Sequence, residues 1–233
     1  MIKIENVITP SAEQWKVTIA GMRNPMNSWN RMDSKKYVAY RDIEMNDIET
    51  SVILGENDLN LMRNLFKGGT EHRKYLRMLP VYMDITAPLY WWKEFDTYKI
   101  GTVANSCSTM HKIQAKEFTL DDFSHEHLIE NEPIPTRVYS PMGMMEATVE
   151  NLNMLRRLYL GTKDKRYWWQ MIQLLPSSYN QKRTVMINYE IACNIVKQRE
   201  GHKLDEWRVF VDELKKLPYF LDVINGEHNE QKA

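Results

Sequence analysis

Four short patterns in the chain carry side chains able to do chemistry. The first is Asn188-x-Glu190-x-x-x-Asn194-x-x-x-x-Arg199, two amides, a carboxylate and a guanidinium in one stretch. A planar guanidinium is a fork of donors that can stabilise negative charge developing on a carbonyl oxygen, the chemistry that Arg199 could offer, although on residue type alone the helix-end reading is preferred. An arginine closing a helix also complements the helix macrodipole, and that alone could explain it. Asn188 and Asn194 lie six positions apart, so they would reach one ligand from different helical turns. The second pattern is Lys99-Ile-Gly-Thr102 followed by Asn105-Ser-Cys-Ser108. Its ammonium and hydroxyls suit a phosphate, at about 1.5–3 kcal/mol for each charge-assisted bond in a dry site; a lone lysine is otherwise a solvated surface group. The third is Cys107 with His111 four residues on, an imaginable thiolate pair for which a packed cysteine is the plainer reading. The fourth is His125-x-His127 beside Asp121, Asp122 and Glu126. That is the inventory of a metal site without a further ligand at a recognisable spacing, and a solvated acidic loop is preferred.

These groups need elements to hold them. Ser11-Ala-Glu-Gln14 is a capping box that should start a helix running to about Met22. Asp58 can cap a second helix, in which Leu59, Met62, Leu65 and Phe66 recur at helical spacing and Gly68-Gly69 provides the stop. Residues 81–86 read as a strand entering a turn at Thr86-Ala-Pro88, with Pro88 opening a helix over 89–97. Residues 118–141, with three prolines and weak periodicity, read as a connection. Helices then follow over 144–160, 163–175, 184–199 and 205–217, so the C-terminal half should be nearly all helix. We expect one domain over 1–225 and a polar tail over 226–233.

Composition removes several function classes. Lys plus Arg and Asp plus Glu are both 31, so no basic field exists to attract nucleic acid or an anionic membrane. No window approaches the roughly 20 apolar residues of a membrane span. Two cysteines without a pairing motif, and a start lacking an apolar leader, fit a reducing cytoplasmic setting. Trp91-Trp92 and Trp168-Trp169 could each offer one exposed ring to stack on a flat ligand, although most of the seven tryptophans and 15 methionines must be core or subunit contact.

Two patches together resemble the flavin-dependent thymidylate synthases. Ala87-Pro-Leu-Tyr-Trp-Trp-Lys-Glu-Phe95 is similar to the segment that precedes that family's signature, with Lys93, Glu94 and Phe95 at its Arg-Gln-aromatic places. The signature would fall on 97–102 and 105–111, where Lys99 keeps a cation, Thr102 a hydroxyl, and Asn105 and Ser108 keep their residues. Thr97-Tyr98, Ser106 and Met110-His111 replace Arg-His, Glu and Arg-Tyr. Leu175-Pro-Ser-Ser-Tyr-Asn-Gln and the run from Asn188 to Arg199 resemble the family's Leu-Pro segment and its Asn-x-Arg-x-x-x-Asn-x-x-x-x-Arg helix, with Glu190 in place of an arginine.

The resemblance implies a twisted antiparallel sheet flanked by helices, an α+β fold, assembled as a homotetramer. It implies FAD as cofactor, NADPH and methylene-tetrahydrofolate as co-substrates, and a pyrimidine nucleotide, dUMP or a relative, as methyl acceptor. Lys99, Thr102, Asn105, Asn188 and Asn194 would then face the cofactor, Glu94, Ser108 and Arg199 the substrate, with Arg199 catalytic. Because cations are lost at Met110 and Glu190 and carboxylates stand at Glu94 and Glu190, the expected ligand is a relative of dUMP, or a nucleotide or flavin bound without turnover. A scaffold that keeps the fold without the ligand is the third reading.

Overall fold

Two strands of nine residues, β4 (Pro80–Pro88) and β6 (Asn180–Asn188), organise the sheet, and their register can be read from its ends. Tyr189 N donates to Leu79 O at one end (3.1 Å) and Leu89 N to Tyr179 O at the other (3.0 Å), while the Thr184 hydroxyl meets Asp84 midway. Residue numbers rise on one strand as they fall on the other, so the pair is antiparallel. β1 (Lys3–Ile8) lies outside β4 and β5 (Val103–Ser106) outside β6, giving the order β1-β4-β6-β5. A separate antiparallel pair joins β2 (Lys35–Asp42) to β3 (Asp47–Ile53). The computed structural model describes residues 1–42, 47–130 and 140–225. The expected polar tail lies outside them, as does much of the expected connection.

The described helices are α1 (Ala12–Arg23), α2 (Glu56–Lys67), α3 (Leu89–Phe95), α4 (Thr109–Lys112), α5 (Pro141–Thr162), α6 (Lys165–Leu174), α7 (Tyr189–Arg199), α8 (Asp205–Lys215) and α9 (Phe220–Asn225). The fold is therefore mixed, an antiparallel sheet with helices. The Ser11 capping box is formed as expected, its hydroxyl on Gln14 N and the Gln14 side chain on Ser11 N. Pro88 sits one position earlier than expected, as the cap of α3.

Two expectations need correction. Gly55, not Asp58, caps α2; Asp58 lies in the first turn, wholly buried against Arg23. Its carboxylate also accepts the backbone N–H groups of Asp33 and Ser34 at 3.1 and 2.9 Å. The expected helix over 184–199 begins only at Tyr189, because residues 184–188 finish strand β6.

The chain divides into two compact units. One comprises Met1–Glu5, Asp84–Thr97 and Ala104–Thr184; the other comprises Asn6–Met83, Tyr98–Val103 and Val185–Ala233. In the first, α5 and α6 close over Phe118, Phe123, Leu152 and Met171. In the second, Trp15 meets Tyr189 edge-on at 5.7 Å, and Phe220 lies 5.9 Å from Tyr189. Among the described residues no helix is long and apolar enough to cross a membrane.

Candidate functional site

The second unit gathers most of the candidate residues around α7. Asn188 ends β6 and its carboxamide oxygen accepts the Ile191 N–H at 3.0 Å, an N-cap that starts the helix. Residues 98–102 turn back over this helix. Gly101 has φ +81°, and a Cβ there would stand 3.0 Å from Asn188 Nδ2 and 3.1 Å from Ile191 Cδ1, so both its conformation and its closeness require glycine. Farther along α7, Tyr98 Oη donates to Gln198 Oε1 at 3.0 Å. Asn194 is half-buried and falls between Ile191 and Gln198 at spacings of three and four, on the stripe of α7 that this loop follows.

Arg199 closes α7 in a cage of rings. Its Nε donates to Tyr98 Oη at 3.0 Å, its Nη1 lies 3.1 Å from His202 Nε2, and the Leu204 N–H holds His202 Nδ1 from behind at 3.2 Å. The guanidinium carbon stands 4.5 Å from the Trp207 ring centre and 5.8 Å from that of Tyr98. Stacking of this kind holds a guanidinium in one orientation. A merely dipole-complementing arginine needs no such cage. His202 and Trp207, a loose likeness in sequence, are thus parts of the Arg199 site. Lys99 is exposed beside it in sequence, and the Thr102 hydroxyl is buried without a hydrogen-bond partner among the described residues.

Glu190, the carboxylate in the arginine place, does not face solvent. It is 5% exposed, and Arg73 Nε lies 3.1 Å from its Oε2, a close charge contact rather than an aligned hydrogen bond. One turn on, burial first and Glu190 second push the Cys193 thiol up to about 12. That cysteine is a packed, inert group.

The first unit holds the other candidates. Glu94 is half-buried on α3, Asn105 is exposed on the edge strand β5, and the Ser108 hydroxyl caps α4 by accepting His111 N at 3.0 Å. Around them lies a network that sequence reasoning missed. Arg183 stacks on Trp92 at 4.2 Å, donates Nη1 to Asp96 at 2.7 Å and Nε to Gln181 at 3.0 Å, while Gln181 donates to Cys107 O at 2.8 Å. Reading residues 184–199 as one helix hid the strand that carries Arg183. Trp91 and Trp92 are 0% and 1% exposed, so neither ring is offered to a ligand; of the other pair Trp169 is exposed. Cys107 is a free, exposed cysteine. No group of three or more His, Cys, Asp or Glu among the described residues is arranged for a metal, and His125 Nδ1 lies 2.8 Å from Phe123 O.

No family model matches the chain, and no curated protein matches its sequence. Solved structures do match its fold. Thymidylate synthase X from Helicobacter pylori, with FAD and dUMP, superposes with a TM-score of 0.60 over 94% of both chains at 16% identity. A second structure of that enzyme, also with FAD and dUMP, covers 96% of this chain and 99% of its own, with a TM-score of 0.60 and 15% identity. A UMP/dUMP methylase from Streptomyces cacaoi, bound with 5-Br UMP, covers 97% of this chain and 91% of its own, with a TM-score of 0.57 and 12% identity. A likeness that spans nearly the whole of both chains is one of fold, and this chain has the fold of the flavin-dependent thymidylate synthases.

Proposed function

We propose that the chain binds FAD and a pyrimidine nucleotide, dUMP or a relative, and transfers a one-carbon unit to the pyrimidine ring. The observation that carries this reading is the Arg199 cage: Tyr98, His202 and Trp207 hold the guanidinium in one orientation at the end of α7. The structures that share the fold carry FAD and dUMP in two cases and a brominated UMP in a third, which supports a pyrimidine rather than another ligand class. The arrangement of Glu190 supports it too. A carboxylate in the place of a phosphate-binding arginine would repel a dianion if exposed, but this one is buried and paired with Arg73.

The chain's own groups fit a flavin nucleotide in part. Within the second unit, the buried Thr102 hydroxyl without a hydrogen-bond partner among the described residues, the half-buried Asn194 amide and the exposed Lys99 are donors of the kind a cofactor's polar edge and phosphates need. Asn188 fits less well, since its oxygen caps α7, leaving only its Nδ2 to donate. When bound, the flavin would supply hydride; the protein's part is to orient the pyrimidine and stabilise charge on its carbonyl. Arg199 takes that role here.

The test is a spectrum followed by turnover. The purified chain is mixed with FAD, desalted and scanned for a retained flavin band, then assayed for NADPH oxidation with dUMP or UMP. A retained band and nucleotide-dependent oxidation support the proposal. Retained flavin without turnover favours a second reading, a non-catalytic binder, for which the capped Asn188 speaks. A colourless protein that holds neither FAD nor nucleotide would reject both.

A further inference from the structure

Arg73 and Glu190, both in the second unit, form an ion pair that is buried yet incomplete. Glu190 lies in the first turn of α7 with its side chain 7% exposed; Arg73, which precedes the 3-10 turn Lys74–Met78, is 18% exposed. Their approach of 3.1 Å between Nε and Oε2 is out of line for a hydrogen bond, and neither Glu190 oxygen has a hydrogen-bond partner among the described residues. A pair kept only to join two elements should be aligned, because two buried charges are costly unless their hydrogen bonds are satisfied. Off-line contacts recur instead in binding sites, where they tighten on a ligand.

The mounting of Arg73 points the same way. Its guanidinium carbon stands 4.9 Å from the Phe66 ring centre, and its Nε is closed off against Glu190. Nη1 and Nη2 make no hydrogen bond among the described residues and are not shut away with Nε, so they remain as an open pair of donors. A guanidinium fixed by one edge and one face, with its other edge open, suits the bidentate grip of a phosphate. Its surroundings favour an anion. Residues 67–77 carry the exposed Lys67, Lys74 and Arg77 as well as Arg73, against the single carboxylate Glu71, in a chain whose total charge is balanced. Asn194, a half-buried amide, follows Glu190 by four residues and so shares its face of α7.

We propose that Arg73 binds a phosphate of the nucleotide ligand, flavin or pyrimidine, with Glu190 holding the guanidinium from behind. The inference rests on the nucleotide-binding reading above and gives residue 73 the cation that position 190 lacks. The full chain is titrated by calorimetry with FAD and riboflavin, and with dUMP and deoxyuridine, two pairs in which one member has no phosphate. R73M, which keeps an apolar stem beside Phe66, should weaken the phosphate-bearing member of at least one pair about tenfold and leave its phosphate-free counterpart unchanged. It should also flatten the salt dependence of the weakened constant. R73M/E190Q, which leaves no lone charge buried, should show the same loss in a folded chain, whereas E190Q keeps the guanidinium and should retain the preference for phosphate. Thermal unfolding checks that each variant is folded. A structural pair would shift both members of each ligand pair alike, or make E190Q behave as R73M does, and either result overturns the proposal. A parent chain that binds FAD or dUMP and is indifferent to R73M overturns this inference alone; one that binds neither overturns it together with the nucleotide reading.

Discussion

Asp58→Asn removes one negative charge from the interior while almost preserving shape, and the structure sets what this should cost. Asp58 is 0% exposed and its partner Arg23 is 3% exposed. Arg23 Nε donates to its Oδ1 at 2.7 Å, Nη2 lies 2.6 Å from the same oxygen, and the N–H groups of Asp33 and Ser34 share Oδ2. Asparagine can satisfy one of these oxygens' partners, but its NH2 must then face donors and Arg23 is left as a buried charge without an anion. Breaking a buried pair from one side costs about 3–5 kcal/mol, a large share of the 5–15 kcal/mol by which a domain is stable. Urea unfolding followed by tryptophan fluorescence would measure it as a lower midpoint at unchanged slope. The pH dependence supplies a second arm. Burial alone would raise the Asp58 pKa, but hydrogen bonds from Ser34, Arg23 and Asp33 outweigh it and hold the carboxyl below its ordinary value. The unfolded chain therefore takes up this proton at a higher pH than the folded one. The stability from Asp58 is complete above the ordinary aspartate value of about 3.9 and drains as pH falls from there through the folded value. The variant should lack that component of acid sensitivity. A loss under about 1 kcal/mol, with an acid limb identical to the parent's, would refute the account of Asp58 as the buried anchor joining α1, α2 and residues 33–34.

Three other perturbations probe the site and its supports. R199K keeps the charge but loses the planar fork and the stack on Trp207, and should weaken nucleotide binding, read by titration calorimetry, by about 1.5–3 kcal/mol, with thermal stability changed much less. G101A forces a side chain into φ +81° against Asn188 and should lower stability by about 1–3 kcal/mol in the same urea experiment. Thiol titration with a disulfide reagent near pH 8 should count one reactive cysteine in the folded chain and two after denaturation, because Cys107 is exposed whereas Cys193 is buried and its thiol is pushed up to about 12.

The fold was legible in sequence where a local rule acts alone and obscured where two elements share one apolar pattern. Ser11 and Gln14 announce α1 because a capping box needs only four residues to form. Ile187, Ile191 and Ile195 imitate one helical face, yet Ile187 belongs to β6 and the other two to α7; all three are buried because strand end and helix start contribute to the same core. Asn188, an N-cap former at the junction, was the signal available to separate them. The β2–β3 pair went unread because its strands are rich in charged and polar residues, Lys35, Lys36, Arg41, Asp42, Asp47 and Glu49, so no run of apolar alternation marks it.

For the site, residue type could be read directly but partnership could not. Arg199 stood out through the resemblance, and His202 and Trp207 follow it within eight positions, but Tyr98 reaches it from 101 positions earlier, a partnership that no local pattern announces. Glu190 shows the same gap with the opposite sign. In sequence it counts as a carboxylate set against a phosphate; in the folded unit Arg73, more than a hundred positions earlier, lies 3.1 Å from it and both are shielded. The change of charge at position 190 is therefore balanced inside the protein. What governs an anionic ligand is the charge left facing it, and of the two positions that argued against dUMP by their lost cations, only Met110, 53% exposed, still presents an apolar group to solvent. Placing arginine there is the exchange most able to raise affinity for a nucleotide phosphate: M110R should tighten dUMP binding severalfold at low salt and lose that gain as ionic strength rises, and a binding constant unmoved by either change would remove this residue from the site.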